Sequence, residues 1–151
     1  MIFKKAFLFC FLGSLICLSS CFKTGEKKKT GLVVVNVLDK VYFDDCRIKD
    51  SIHVLFDKVK DLEKTVDKGA EVVFYCSNYR CTASGIARKQ LLDMGYKNVL
   101  VYEGGIAEWH QKGYPTEGPC EKDYLKKEVE IPEEKADYII TAEELKKKME
   151  K

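Results

Sequence analysis

The chain lacks several features that mark common functional classes. It has 26 basic and 24 acidic residues, and removal of the first 20 residues, with Lys4 and Lys5, would leave 24 of each. A nucleic-acid binder usually has a clustered basic excess, so we expect no nucleic-acid partner. Only two histidines occur, His53 and His110, and the sequence has no Cys-x-x-Cys motif and no glycine-rich nucleotide loop. We therefore expect no metal and no cofactor.

The start of the chain has the pattern of an export signal. Lys4 and Lys5 precede an uncharged run from Ala6 to Phe22, which is short of the ~20 apolar residues that span a bilayer. A basic start, an apolar middle and a small-residue end are typical of a secretory signal. The end, Leu18-Ser19-Ser20-Cys21, resembles the bacterial lipobox, whose cysteine is lipidated and becomes the new, acylated N-terminus. Cys17 fits less well because Ile16 precedes it.

These features predict a signal peptide at residues 1–20, lipidation of Cys21 and a tether at residues 21–30. The alternative is an uncleaved anchor helix in which Cys21 is incidental. A lipidated chain would sit on the extracytoplasmic side of a bacterial membrane, held there by acyl chains such as palmitate. Disulfides are permitted in that compartment.

The middle of the chain alternates strand and helix patterns. Leu32 to Val37 is a near-continuous β-branched run, which suits a strand buried on both faces of a parallel sheet. We predict strands at 32–37, 51–54, 71–75 and 98–102, and helices at 55–66, 82–94 and 106–112. Such alternation indicates a single α/β domain with a mostly parallel central sheet flanked by helices. Ligands of such sheets bind beyond the carboxyl ends of the strands.

The C-terminal segment, residues 115–151, is highly charged. Its last 31 residues contain 18 charged ones, which predicts an extended strap. Thr141 and Glu144 have the spacing of a capping box, so a short helix is expected at the end. This helix is either part of a solvated tail, or it docks on the domain or on a partner protein.

The chemically informative segment is the loop that begins with Cys76, at the end of a predicted strand and shortly before a helix. Backbone amides, the helix N-terminus and Arg80 would each favour a thiolate over a thiol, which would make Cys76 a nucleophile. The alternative is a buried structural cysteine in an ordinary connection. The candidate loop residues are Ser77, Asn78, Tyr79, Arg80 and Cys81.

From Gly31 to Tyr114 the chain resembles a rhodanese-like domain. Tyr75-Cys76 at a strand end, the six-residue loop, and the segment Gly104-Gly105-Ile106-Ala107-Glu108-Trp109 match motifs of that family. The resemblance implies sulfur transfer, in which Cys76 becomes a persulfide, the loop binds the sulfur and Arg80 assists. The implied partners are a small sulfur donor, thiosulfate or a polysulfide, and a thiol acceptor. Related phosphatases have an arginine six positions after the catalytic cysteine. Thr82 stands at that position here, so phosphatase activity is disfavoured.

The loop departs from the family pattern in ways that leave two alternatives open. Tyr79 stands where several members have glycine, Arg47 replaces a usual histidine, and Cys81 occupies the last loop position. Cys81 could resolve an oxidised or persulfidated Cys76, which would make the protein a thiol redox protein. The other alternative is a non-catalytic module that binds a partner. Four cysteines beyond Cys21 allow three disulfide pairings, and the pair Cys46–Cys120 is among them.

Overall fold

The central sheet has four parallel strands in the order β3-β1-β4-β5. The computed structural model describes residues 27–128, 131 and 136–151. Within that range the strands are β1 (Leu32–Asn36), β2 (Arg47–Ile48), β3 (Ile52–His53), β4 (Glu71–Tyr75), β5 (Val99–Tyr102) and β6 (Thr116–Glu117). Strands β2 and β6 form a separate antiparallel ribbon. The predicted α/β class with a mostly parallel sheet is confirmed.

Helices connect the strands and cover both faces of the sheet. The α-helices are α1 (Lys40–Asp45), α2 (Leu62–Thr65), α3 (Ala83–Asp93), α4 (Gly105–Gln111) and α5 (Ala142–Met149), and 3-10 turns span Phe56–Asp61 and Asp123–Lys126. None of the helices in the described part of the chain is long and apolar enough to cross a membrane.

Alternate residues of the interior strands supply two separate cores, because successive side chains of a strand point to opposite faces. On one face Val72 and Phe74 pack with residues of α2 and α3, such as Leu62 and Leu91. On the other face Val73 and Tyr75 pack with residues of α4, α5 and the second 3-10 turn: Ile106, Trp109, Leu125 and Leu145. Both faces of the sheet are therefore covered, as the continuous apolar strand pattern predicted.

The predicted helix at 55–66 has a different form in the structure. It consists of the first 3-10 turn followed by the four-residue helix α2. Val59, Leu62 and Val66 are buried as the periodicity predicted, but Leu55 is 40% exposed. The spacing of the three buried residues determines only which side of the segment faces the core. Over so short a segment, a 3-10 turn can place them on that side as well as an α-helix can.

The C-terminal segment docks on the domain, so a wholly solvated tail is excluded. Residues Tyr138 and Ile140 exchange backbone hydrogen bonds with Val101 at 2.9 Å each, which adds a parallel bridge beside β5. The predicted capping box of α5 is present, with Thr141 Oγ1 accepting from the Glu144 amide at 3.1 Å. Leu145 of α5 is fully buried. The strap thus covers what would otherwise be an open sheet edge.

The predicted signal peptide, the lipidation site Cys21 and most of the tether lie outside the described residues. The described residues of the tether, 27–30, lead directly into β1. The Lys29 amide donates to the carbonyl oxygen of Thr65 at 2.7 Å, and Lys29 accepts from the Asp67 amide at 2.9 Å.

Candidate active site

The Cys76 loop lies at the carboxyl end of β4, between that strand and α3. Helix α4 fixes its start, since the Ile106 amide donates to the Cys76 carbonyl at 3.0 Å and the Ala107 amide donates to the Ser77 carbonyl at 3.0 Å. Gly105 permits this contact. A β-carbon there would lie 2.6 Å from the Cys76 carbonyl oxygen, and the residue has a φ of +62°. The backbone around Cys76 is therefore held by packing against α4.

The Cys76 side chain is fully buried and faces carbonyl groups. Its thiol donates to the Cys81 carbonyl oxygen at 3.1 Å and approaches the Asn78 carbonyl oxygen at 3.9 Å. The hydroxyl of Ser84 lies 3.5 Å from the sulfur. Carbonyl oxygens stabilise a thiol, which can donate, and destabilise a thiolate, which cannot.

The pKa of Cys76 is accordingly raised well above the ordinary value. The largest cause is its hydrogen bond with the Cys81 side chain, followed by burial and the charge of Cys81; contacts with Ser84 oppose these effects. This corrects the expectation that loop amides hold Cys76 as a thiolate in the resting structure. The Ser84 amide is the one backbone amide that favours the thiolate of Cys76 here, whereas the Asn78 and Cys81 carbonyls face the same sulfur.

Cys81 has the opposite environment. It is half-buried, and it lies two residues before the start of α3. Its pKa is lowered, first by the hydrogen bond from Cys76 and then, against a raising effect of burial, by the amides of Ala83 and Ser77 and the Ser77 side chain. Backbone amides of the kind expected at Cys76 therefore act on Cys81.

The remaining predicted loop residues have separate roles. Arg80 is exposed, whereas Cys76 has no exposed surface. The Asn78 side chain closes a local turn, because its Oδ1 accepts from the Arg80 amide at 3.1 Å. Tyr79 reaches helix α4, where its hydroxyl donates to Glu108 at 3.2 Å. The loop is thus tied down at its middle by the residue that replaces the family's glycine.

Glu108 is a residue of this site that the sequence did not single out. It is 9% exposed, and its Oε2 accepts from the hydroxyls of Tyr102 at 2.8 Å and Tyr79 at 3.2 Å. Lys112 lies 3.7 Å from its other oxygen. The one available signal was a carboxylate between the apolar residues Ala107 and Trp109. A buried carboxylate needs partners, and here they anchor the loop.

A cavity of about 310 Å³ adjoins the loop. Ser77 and Asn78 form one side, and Leu38, Tyr42 and Tyr124 form the other. The rings of Tyr42 and Tyr124 contact edge to face at 5.7 Å between centroids. The Tyr124 hydroxyl is buried without a hydrogen-bond partner among the described residues. The cavity therefore offers a largely aromatic wall opposite Ser77 and Asn78, which belong to the loop that carries the two cysteines.

A disulfide joins Cys46 to Cys120, which is the pairing left open by the sequence. His110 lies near both sulfurs, with the three potential ligand atoms within 4.8 Å of one another. Sulfurs that are bonded to each other are not thiolates, so this group is not a metal site while the disulfide is intact. His53 Nε2 donates to the Leu38 carbonyl oxygen at 2.7 Å.

Residues 23–112 match the family model described as the rhodanese-like domain. The chain belongs to this family. Among its relatives is the thiosulfate sulfurtransferase GlpE of Coxiella burnetii, 27% identical over 59% of this chain and 80% of the relative. The enzyme of the same name from Pseudomonas syringae is 29% identical over 60% of this chain and 82% of the relative. The BH2092 protein of Bacillus halodurans has a similar structure, with a TM-score of 0.56 and 26% identity; the match covers 60% of this chain and 66% of that one.

The rhodanese-like match includes the Cys76 loop and all of α4, the two elements that form the site. It ends before β6, the second 3-10 turn and α5. Among the residues that the structure describes, the free thiols are the buried Cys76 and the half-buried Cys81.

Proposed function

We propose that the chain is a sulfurtransferase that takes sulfane sulfur from thiosulfate or a polysulfide and carries it as a persulfide on Cys76. The observation that supports this most directly is the position of Cys76, at the carboxyl end of β4 in a short loop that leads into α3, within a rhodanese-like domain. Two relatives named as thiosulfate sulfurtransferases support the choice of donor.

In the proposed reaction the Cys76 thiolate attacks the outer sulfur of thiosulfate. An S–S bond to Cys76 forms, the sulfur–sulfur bond of the donor breaks, and sulfite leaves with the bonding electron pair. An acceptor thiolate then takes the outer sulfur and the Cys76 thiolate is regenerated. No metal or cofactor takes part in either step.

The resting loop must turn before Cys76 can react. The Cys81 and Asn78 carbonyls have to move away from the Cys76 sulfur. The Tyr79 side chain has to break its hydrogen bond with Glu108 or change its orientation around that bond. Few backbone hydrogen bonds within the loop oppose this motion. One of them joins the Cys81 amide to the Asn78 carbonyl oxygen at 3.0 Å. We propose that binding of the anionic donor stabilises the turned loop, with Arg80 contributing positive charge.

The experiment uses the full chain in detergent, incubated with thiosulfate or a polysulfide and analysed by intact mass. We expect a gain of one sulfur that maps to Cys76, and thiocyanate release when cyanide is added as acceptor. The double variant Cys76→Ser/Cys81→Ser should lose both signals, whereas Lys89→Gln, an exposed change on α3, should keep them. A folded parent protein that takes up sulfur from neither donor would contradict the proposal.

We also propose that the protein is lipid-anchored at Cys21 on the extracytoplasmic side of a bacterial membrane. The lipobox-like sequence at Leu18 to Cys21 supports this, and the Cys46–Cys120 disulfide is compatible with an oxidising compartment. Growth with labelled palmitate should label the parent and Cys17→Ser but not Cys21→Ser. Equal labelling of Cys21→Ser and the parent would remove Cys21 as the lipidation site.

A partner contact through the C-terminal segment remains a prediction. If it occurs, it would use the charged face of α5, because Leu145 is buried against the domain. The thiol redox alternative gains support from a specific observation, the hydrogen bond between the Cys76 and Cys81 side chains.

A further inference from the structure

The two loop cysteines differ in access to solvent. Cys76 has no exposed surface, whereas Cys81 is half-buried at the start of the connection to α3. A reagent that approaches the resting loop therefore meets the Cys81 sulfur first. Reaction at Cys81 needs no movement of the loop, while reaction at Cys76 does.

The polar groups around the two sulfurs also make Cys81 the more reactive cysteine. Carbonyl oxygens of Asn78 and Cys81 face the Cys76 sulfur, and the hydroxyl and amide of Ser84 only partly oppose their effect. The Cys81 sulfur accepts from the amide of Ala83, the first residue of α3, and from the amide and side chain of Ser77. Amides at a helix N-terminus stabilise negative charge. Negative charge is therefore favoured on the accessible sulfur, and the proton is favoured on the buried one.

The two side chains are also hydrogen-bonded to each other. This contact places the buried thiol next to the sulfur that a substrate would modify. Once Cys81 has formed a mixed disulfide, its sulfur is the electrophile nearest to Cys76. The pair thus has an outer nucleophile and an inner resolving thiol, the reverse of the order that the sequence suggested.

We propose that the loop has a second activity, thiol–disulfide exchange with small organic disulfides, in which Cys81 attacks first and Cys76 resolves. The Cys81 thiolate attacks one sulfur of the substrate disulfide, and the other leaves as a thiolate. Cys76 then loses its proton and attacks the Cys81 sulfur, which expels the second substrate thiolate. Two electrons pass from the cysteines to the substrate, which becomes two thiols, and a Cys76–Cys81 disulfide remains. A dithiol reductant would return the loop to its starting state.

This activity goes beyond sulfur transfer and does not require it, since the substrate is an organic disulfide and the first attack comes from Cys81 in the resting loop. The adjoining cavity indicates which disulfides to test. Ser77 contacts Cys81 and also lines the cavity with Tyr42 and Tyr124. An aromatic disulfide can pack its ring against these tyrosines.

The experiment uses the full chain in detergent, with Cys10, Cys17 and Cys21 replaced by serine in every protein so that only the loop thiols are counted. Both loop thiols are reduced, the Cys46–Cys120 disulfide is verified as intact, and dithiobis-nitrobenzoate is the probe at pH 6. We expect the parent to release two coloured thiols per chain. Cys76→Ser should release one and retain a mixed disulfide on Cys81. Cys81→Ser should react at least roughly 10-fold more slowly, because a thiol of ordinary pKa, about 8.5, is scarcely ionised at this pH.

Peptide mapping gives an independent readout. Trypsin cleaves after Arg80, between the two cysteines, so peptides 69–80 and 81–88 from the reacted parent should be joined only by a Cys76–Cys81 disulfide. Lys89→Gln serves as the control and should behave as the parent. The proposal is overturned if Cys81→Ser reacts as fast as the parent, or if the mixed disulfide of the parent accumulates on Cys76. Failure of thiosulfate uptake would leave these results unaffected.

Discussion

Gly105 lies against the carbonyl group of Cys76 so closely that a β-carbon on Gly105 would be 2.6 Å from the Cys76 oxygen. The same glycine has a φ of +62°, and it opens the helix whose next residue donates a hydrogen bond to that oxygen. Its lack of a side chain therefore sets the position of the sulfur-bearing loop relative to α4.

Substitution of Gly105 by alanine should destabilise the domain by about 2–4 kcal/mol, since it combines an unfavourable backbone conformation with a steric clash. The control is Gly85→Ala in α3, where a β-carbon would meet no atom within 4 Å. That change should be neutral or slightly stabilising. Urea unfolding of the two variants checks this, and equal midpoints would contradict it.

The pKa of each loop cysteine should depend on the other. Cys81→Ala removes the largest cause that raises the pKa of Cys76, so Cys76 should ionise at lower pH than in the parent. Cys76→Ala removes the largest cause that lowers the pKa of Cys81, so Cys81 should ionise at higher pH. Rates of iodoacetamide modification of each cysteine against pH, mapped by mass spectrometry, measure both shifts. Unchanged pH profiles would show that the two thiols do not interact.

The Cys46–Cys120 disulfide closes a loop across 74 positions of sequence. Its removal in Cys46→Ser/Cys120→Ser should cost roughly 2–5 kcal/mol, because a long loop is released in the unfolded state. Urea unfolding measures the loss. We expect Cys81→Ser, which breaks no disulfide, to unfold near the parent midpoint. A double variant as stable as the parent would mean that the bond does not constrain the chain.

Leu145 is the buried anchor of α5. Leu145→Ala should destabilise the protein by about 2–5 kcal/mol, whereas Lys147→Ala, an exposed change two residues further along α5, should have little effect. Hydrogen exchange at residues 138–149 should rise in the first variant. If exchange is equally fast in the parent, α5 is not docked in solution.

The strands and the position of the Cys76 loop were predictable because the sequence patterns that indicate them are local. Glu71 to Tyr75 forms a strand with the predicted bounds, and α3 differs from the prediction by one residue at each end. The β-branched runs allow little else when both faces of a sheet are covered. The capping box at Thr141 likewise depends on residues three positions apart.

The sequence did not predict the environment of Cys76, because this depends on which backbone groups turn inward. A loop of six residues can present amides or carbonyls to a sulfur, and the choice depends on Tyr79 reaching Glu108 on a helix nearly 30 residues later. Short elements also escaped prediction: α1 and the β2–β6 ribbon are stabilised by tertiary contacts, including the Arg47–Glu117 ion pair at 3.0 Å.

Strand β1 is the first element of the described chain, yet it lies in the interior of the sheet, between β3 and β4. A force applied to the chain before Gly31 would therefore load the β1–β3 and β1–β4 hydrogen bonds together, whereas an edge strand would be held by one set of hydrogen bonds. If the N-terminus is held at a membrane, thermal forces on it are transmitted to β1. Because β1 is hydrogen-bonded directly to β4, these forces also act on the strand that ends at Cys76.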